Sequence, residues 1–184
     1  MRALKKMMTG NEAIAYGAYL NGVRIGAAYP GTPSTEIMEE FAKYEGVYAE
    51  WSPNEKVALD TGTGAAYAGA RAMVSMKHVG VNVASDSLFY GVYTGLKGGL
   101  LIISADDPGM HSSQNEQDNR NYARFAKIPM LEPSDSQEAK DFVGIALEMS
   151  ETFDTPVMLR TVTRIAHSSA PVEIGDETPP AAPA

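Results

Sequence analysis

Four short polar segments hold the side chains of this chain that are best suited to chemistry. They span residues 29–35, 51–55, 77–82 and 106–111, and each follows a run typical of a β-strand. In open parallel sheets, ligands bind at the carboxyl ends of the strands, where the loops meet helix N-termini. We therefore expect the four segments to converge on one site at an edge of the sheet.

The elements that must position these segments alternate along the chain between strands and helices. Strands are predicted at 24–29, 47–51, 72–77, 99–104 and 156–161, with another short one that begins at Met130. Helices are predicted at 34–43, 54–70 and 136–153, in the region after His78, and from a capping box of Thr9 and Glu12 to about Asn21. This alternation indicates an α/β fold with a doubly wound, mostly parallel sheet of about six strands and helices on both faces.

The length of 184 residues suits one well-packed domain. We expect this domain to span residues 1–167. Residues 168–184 lose periodicity and end in a Pro/Ala-rich run, so they are predicted to form a linker or tail.

The composition excludes several classes of function. The net charge of −8 argues against a nucleic-acid or anionic-membrane surface, because binding to phosphates needs a basic patch. The absence of cysteine excludes disulfides, thiolate zinc sites, cysteine nucleophiles and any Fe–S cluster bound within this chain. We also predict no other metal site. No segment resembles a signal peptide or reaches the roughly 20 apolar residues of a membrane span, so we expect a cytoplasmic location.

Glu55 has two competing interpretations. Ser52, Pro53 and Glu55 fit a capping box, with Ser52 as the N-cap and Glu55 at the third helical position. Alternatively, its place after the second strand makes Glu55 part of the predicted site. The two roles exclude each other, because a carboxylate folded back onto the Ser52 amide cannot share a proton with a ligand.

The helix that follows Glu55 carries small residues along one face. Since a glycine inside a helix costs about 1 kcal/mol relative to alanine, some other element must approach this face closely. That element is another helix, a subunit partner or a neighbour within the same domain. The small residues are Ala58, Gly62, Ala65, Ala66 and Gly69.

Several stretches together resemble one family of cofactor-dependent enzymes. Residues 29–35 resemble the Tyr-Pro-x-Thr-Pro-Ser motif of 2-oxoacid:ferredoxin oxidoreductases. Asn54-Glu55 and the small residues through Arg71 resemble the helix that begins with the activating glutamate of thiamine-diphosphate enzymes. With residues 48–56, 76–82 and 104–120, the chain from about Thr9 to His167 is similar to the N-terminal, pyrimidine-binding domain of indolepyruvate:ferredoxin oxidoreductase α subunits.

The resemblance implies that this chain binds the aminopyrimidine end of thiamine diphosphate. Glu55 would be the catalytic carboxylate and would bind the cofactor by a hydrogen bond to N1′ of the aminopyrimidine. Pro30, Gly31 and Val79 would complete the cofactor-binding set. The cofactor carries the chemistry in such enzymes, and protein groups orient and tune it.

Two residues are candidates for contact with the substrate. Thr32 matches the threonine that the family places near the substrate carboxylate, but it also suits a helix N-cap before Pro33. His78 is either a hydrogen-bond partner of the substrate or a packed histidine at a strand end.

Asp106 departs from the pyruvate-specific relatives, which carry a substrate-binding arginine nearby, and this agrees with a bulkier aryl substrate. The polar stretch 111–121 is a lid, a partner contact or a solvated loop.

The resemblance also implies that the rest of the cofactor site lies outside this chain. Family members hold the diphosphate and Mg²⁺ on a second domain with a Gly-Asp-Gly motif, which this sequence lacks. The complete enzyme would therefore add a diphosphate-binding domain, a second subunit, Fe–S clusters and CoA, with ferredoxin as electron acceptor and a homodimeric assembly. The implied reaction is oxidative decarboxylation of indolepyruvate or another aryl pyruvate to an aryl-acetyl-CoA, and the chain alone would be inert.

Two alternatives remain open from the sequence. One is the α subunit of a non-oxidative thiamine-diphosphate decarboxylase, of the type that acts on sulfopyruvate or phosphonopyruvate. The other is a non-catalytic module that keeps the fold for dimerisation.

Overall fold

Apolar runs of the sequence form the buried strands of one sheet, and the segments between them form its covering helices. The computed structural model describes residues 4–174. In chain order the elements are β1 (Leu4–Thr9), α1 (Gly10–Leu20), β2 (Ile25–Ala28), α2 (Thr35–Phe41), β3 (Tyr48–Trp51), α3 (Glu55–Tyr67), β4 (Ala72–Lys77), α4 (His78–Thr94), β5 (Leu100–Asp106), α5 (Arg120–Ala126), β6 (Met130–Leu131), α6 (Ser136–Phe153), β7 (Val157–Val162), α7 (Thr163–His167) and β8 (Ser169–Ile174).

The main sheet has six parallel strands in the order β3-β2-β4-β5-β7-β6. Every residue of β5 is buried, which explains why its sequence is a continuous apolar run with little alternation. Because β2 lies between β3 and β4, the loops that leave these three strands are neighbours at one edge. The parallel order thus brings residues that are distant in sequence to the same place.

Helices cover both faces of this sheet. On one face α1, α2 and α6 bury apolar side chains such as Ile14 and Phe41. On the other face α3, α4 and α5 bury a second set that includes Leu59 and Leu88. The predicted doubly wound α/β fold is confirmed.

The small residues of α3 pack within the domain. A Cβ placed on Gly62 would lie 2.3 Å from Cγ2 of Val74, so this helix face touches β4 directly. Ala58 and Ala66 are fully buried beside it. Gly69 lies beyond the helix in a turn, where its φ of +96° favours glycine. The neighbour of this face is therefore the sheet, and neither another helix nor a subunit is needed to explain it.

The ends of the described chain correct one expectation. β1 and β8 form a separate antiparallel pair in which Thr9 lies opposite Ser169 and Leu4 opposite Ile174. The interpretation of residues 168–184 as linker is therefore wrong for Ser169–Ile174, and residues 175–184 lie outside the described part. Val172 is buried with Met8 in the core, and this packing depends on a partner strand about 160 residues away that no local pattern reveals.

None of the helices within residues 4–174 combines the length and the apolar character that crossing a membrane requires.

Candidate functional site

The four polar segments meet at the carboxyl edge of the sheet. A Cβ placed on Gly31 would lie 3.2 Å from Cβ of Lys77, which joins the loops after β2 and β4. Lys77 Nζ donates a hydrogen bond to the carbonyl oxygen of Ser112 at 2.8 Å, which links the end of β4 to the loop after β5. A Cβ placed on Gly80 would lie 2.6 Å from Oε1 of Glu55, which joins the first turns of α4 and α3.

The helix that carries Glu55 is capped by Asn54. The Asn54 side chain accepts a hydrogen bond from the Val57 amide at 3.0 Å, and Glu55 is the first helical residue. The Ser52 amide donates instead to the carbonyl of Ala28 at 2.8 Å. The predicted capping box of Ser52 and Glu55 is therefore wrong, because the chain remains paired with β2 at Ser52 and turns into the helix two residues later.

Glu55 is a buried carboxylate whose oxygens have no partner in the described part of the chain. Its exposed fraction is 9%, and no hydrogen bond or ion pair within residues 4–174 involves its side chain. Buried polar groups normally have partners, so Glu55 has the character of a group that meets a ligand.

Gly80 provides the space that the Glu55 side chain occupies. Besides Oε1, a Cβ at Gly80 would approach Cγ of Glu55 to 2.6 Å, which is closer than any real Cβ contact. Gly80 lies within the predicted segment 77–82, but no local pattern indicated this role. The only available signal was a glycine in the first turn of a predicted helix.

The turn after β2 is organised by Gly31. The Gly31 amide donates to Oγ1 of Thr35 at 2.9 Å, and its carbonyl accepts from the amide and from the hydroxyl of Ser34, both at 2.8 Å. Pro30 is exposed and Gly31 half-buried, and the Thr32–Pro33 peptide bond is cis. This turn presents its backbone toward Lys77 at the end of β4.

Thr32 is exposed and does not cap α2. The N-cap of α2 is Ser34, and no side chain supplies a capping hydrogen bond there. The alternative of a structural cap at Thr32 is therefore wrong. Its hydroxyl is free of partners among residues 4–174 and lies in the turn that contains Gly31.

His78 and Val79 form the start of α4. His78 is fully buried, and its Nε2 lies 3.1 Å from the carbonyl oxygen of Asn115. Its Nδ1 is buried without a hydrogen-bond partner in the described residues. Val79 is half-buried next to it. His78 is thus packed against the strap at a strand end, and one of its ring nitrogens has no partner within residues 4–174.

Residues 107–119, which we call the strap, cross the start of α4. Asp107 anchors the near end: its carboxylate accepts from the amide of Ser112 at 2.8 Å, the hydroxyl of Ser113 at 2.6 Å and the hydroxyl of Thr163 at 2.8 Å. Burial alone would raise the pKa of Asp107, but these hydrogen bonds outweigh burial and hold the pKa well below its ordinary value. The strap contains most of the predicted polar stretch, whose last residues begin α5.

Arg160 is a functional-site neighbour that sequence reasoning missed. It lies in the otherwise apolar strand β7, is 5% exposed, and its Nε donates to Asp106 at 2.7 Å. Its Nη1 donates to Glu132, which Arg120 also contacts. Hydrogen bonding to Arg120, together with the charge of Arg160, holds the pKa of Glu132 below its ordinary value. A lone arginine in an apolar strand was the signal that could have found this network.

A polar cavity of about 650 Å³ is lined by part of this network, by Pro108 of the fourth polar segment and by residues of the polar stretch 111–121, but by none of the predicted cofactor or substrate residues. No group of three carboxylate or imidazole side chains within residues 4–174 is placed to hold a metal ion. The cavity walls are formed by Pro108, Glu116, Gln117, Asp118, Arg120, Glu132, Arg160 and Val162.

Comparison with known proteins gives a consistent result. Residues 16–182 match the family described as pyruvate flavodoxin/ferredoxin oxidoreductase, thiamine diP-bdg. The chain is 51% identical over 179 residues to indolepyruvate oxidoreductase subunit IorA of Archaeoglobus fulgidus, covering 93% of this chain and 29% of that protein. It is 53% identical over 175 residues to the subunit IorA of Pyrococcus horikoshii, covering 94% of this chain and 27% of that protein. The chain thus spans less than a third of the length of these curated relatives.

The fold is also that of a solved structure. The 2-oxoglutarate:ferredoxin oxidoreductase from Magnetococcus marinus, with 2-oxoglutarate, coenzyme A and succinyl-CoA bound, superposes with a TM-score of 0.84 at 22% sequence identity. The match covers 95% of this chain and 33% of the other. At this identity the likeness shows the shared fold.

Proposed function

Because the chain belongs to the thiamine-diphosphate-binding family of pyruvate flavodoxin/ferredoxin oxidoreductases, we propose that it is the pyrimidine-binding half of an enzyme that oxidatively decarboxylates indolepyruvate or a related aryl pyruvate to an aryl-acetyl-CoA. The names of the relatives that are about half identical in sequence support this substrate class. The observation that carries the proposal is the Glu55 carboxylate, which begins a helix, lies against Gly80 and has no hydrogen-bond or ion-pair partner within residues 4–174.

The residues present fit the pyrimidine end of the cofactor. Thiamine diphosphate, when bound, would supply the carbon nucleophile and the electron sink that decarboxylation of a 2-oxoacid needs. Glu55 would hold the proton that its Oε atoms share with pyrimidine N1′. Pro30 and Gly31, in the turn after β2, and Val79, in the first turn of α4, would contact the cofactor.

In this proposal the two candidate substrate-binding residues contact different parts of the 2-oxoacid. The exposed hydroxyl of Thr32 would donate a hydrogen bond to its carboxylate. His78, at the start of α4, would face a different part of the substrate.

Other parts of the complete enzyme belong to the same proposal. A diphosphate-binding domain outside this chain would hold Mg²⁺, and a second subunit, CoA and ferredoxin as electron acceptor would complete the reaction. The chain has no cysteine, so the Fe–S clusters would be ligated elsewhere. We further propose a homodimeric assembly in the cytoplasm, and no turnover by residues 1–184 alone.

The test is Glu55→Gln in the complete enzyme. We expect deuterium exchange at C2 of thiamine diphosphate and the oxidation of indolepyruvate to fall by about 10²–10⁴-fold, since a positioned acid–base group contributes that much. The matched control is Glu45→Gln, which changes an exposed glutamate in the loop before β3. Exchange at the wild-type rate in the Glu55 variant would show that this carboxylate does not serve the cofactor.

A further inference from the structure

The contacts of His78 define which ring nitrogen carries its proton. Nε2 lies 3.1 Å from the carbonyl oxygen of Asn115 in the strap. A carbonyl oxygen can only accept, so Nε2 must be the donor. In a neutral imidazole the other nitrogen then carries a lone pair and no hydrogen. Nδ1 of His78 is therefore a buried acceptor, and no donor within residues 4–174 reaches it.

Two side-chain amides of the strap donate hydrogen bonds to the backbone carbonyl of His78. The carbonyl oxygen of His78 accepts from Nδ2 of Asn119 at 3.0 Å and from Nε2 of Gln117 at 3.1 Å. Asn119 is fully buried, and its Nδ2 also donates to Oγ of Ser104 at 2.8 Å. The first turn of α4 is thus tied to the strap by side chains and to β5 through Asn119.

Asn119 is itself fixed by a buried ion pair. The backbone amide of Asn119 donates to Oδ2 of Asp106 at 3.0 Å. Asp106 is 0% exposed and also accepts hydrogen bonds from the Ser104 hydroxyl and from Arg160. A buried ion pair seldom stabilises a fold more than apolar residues of the same size would. Here the ion pair of Asp106 and Arg160 instead fixes the position of Asn119, which holds the start of α4.

We propose that Asn119 is a positioning residue that ties the strap to the first turn of α4 and thereby fixes His78 as the Nε2–H tautomer, with Nδ1 available as a hydrogen-bond acceptor. The ligand group that Nδ1 fits carries a hydrogen, such as a hydroxyl or an amino group, and is not a carboxylate. This assignment of the ligand group rests on the proposed function, whereas the tautomer is a property of the chain alone.

The test is nitrogen NMR of the 184-residue chain at about pH 8.5, two units above the ordinary pKa of histidine. The chain has three histidines, and His111→Gln and His167→Gln assign the signals. We expect His78 to show a protonated Nε2 and an unprotonated Nδ1, whereas exposed His111 shows the averaged shifts of exchanging tautomers. Averaged shifts at His78, or a protonated Nδ1, would overturn the proposal.

Two variants of the strap separate positioning from general loop integrity. Asn119→Ala should move the His78 signals toward the averaged values. Asn115→Ala should leave them unchanged, because only the backbone carbonyl of Asn115 is used. If Asn119→Ala does not fold, Gln117→Ala, which removes the other donor, should give a smaller shift in the same direction. If Asn119→Ala, or Gln117→Ala in its place, folds and leaves the His78 signals unchanged, the side-chain amides of the strap do not position His78.

The outcome is independent of the test of Glu55. A locked tautomer with a dispensable Glu55 would leave the positioning role intact and reject the proposed function. Loss of activity in Glu55→Gln together with averaged His78 signals would support the proposed function and reject the positioning role of Asn119.

Discussion

Glu55 and Asp107 are both buried carboxylates at the same edge of the sheet, yet their surroundings differ. Asp107 is 1% exposed and accepts hydrogen bonds from Ser112, Ser113 and Thr163. Glu55 is 9% exposed and accepts none from residues 4–174. A buried charge without donors costs free energy of folding, whereas a saturated one holds a loop in place. This difference indicates a structural role for Asp107 at the base of the strap and supports the proposed cofactor role of Glu55 at the start of α3.

The largest expected effect on stability is on the strap side. Arg160→Leu leaves Asp106 buried without its ion-pair partner, and we expect the free energy of unfolding to fall by about 3–5 kcal/mol. Urea unfolding of the chain measures this. Arg124→Leu, which changes an exposed arginine of α5, should have little effect. If the two variants are equally stable, the buried network does not hold this part of the fold.

The next effect tests the space around Glu55. Gly80→Ala forces the Glu55 carboxylate to move, and a displacement of about 1 Å can cost about 10²-fold in activity of the complete enzyme. Gly64→Ala is the matched control, because a Cβ there meets nothing within 4 Å and alanine suits a helix better than glycine. Equal activity of the two variants would mean that the contact between Gly80 and Glu55 does not position the carboxylate.

A smaller effect compares the two carboxylates directly. Asp107→Asn loses a charged acceptor of hydrogen bonds from three residues and should destabilise the chain by about 1–3 kcal/mol. Glu55→Gln removes a carboxylate that accepts no hydrogen bond from residues 4–174, so the free energy of unfolding should not fall. Both are measured by urea unfolding, and a reversed order would remove the distinction between the two sites.

The smallest effect is the pH dependence of stability. The pKa of Asp107 is lower in the folded chain than its unfolded value of about 3.9. Its contribution is therefore complete above about pH 4 and declines as the pH falls toward the folded pKa. The difference in urea midpoint between wild type and Asp107→Asn should narrow below about pH 4. A difference in urea midpoint that stays constant through this range would show that folding does not lower the pKa of Asp107.

Local patterns were enough for most of the framework. The capping box of Thr9 and Glu12 is present, with the Glu12 amide 3.1 Å from Oγ1 of Thr9. β4 and α6 have the predicted bounds, and the other strands of the main sheet agree within two residues. These features depend on neighbours a few positions apart, so the sequence carries their signal directly.

Local reasoning failed where a partner from elsewhere in the chain decides. Ser52 was a plausible helix cap, but its amide is paired with Ala28 of β2, and Asn54 caps the helix instead. β8 gave no periodic signal, because its hydrogen bonds come from β1 at the other end of the described chain. In both cases the competing interaction joins residues that are far apart in sequence.

The sequence by itself determined the alternation of strands and helices, the doubly wound class of the fold and the family resemblance that singled out Glu55. Only the tertiary structure decided that Glu55 has no partner within residues 4–174, that Gly80 makes room for it, and that Asn119 holds His78. The physical reason is that hydrophobic periodicity and capping act over a few residues, whereas the partners of a buried polar group are set by the packing of distant elements.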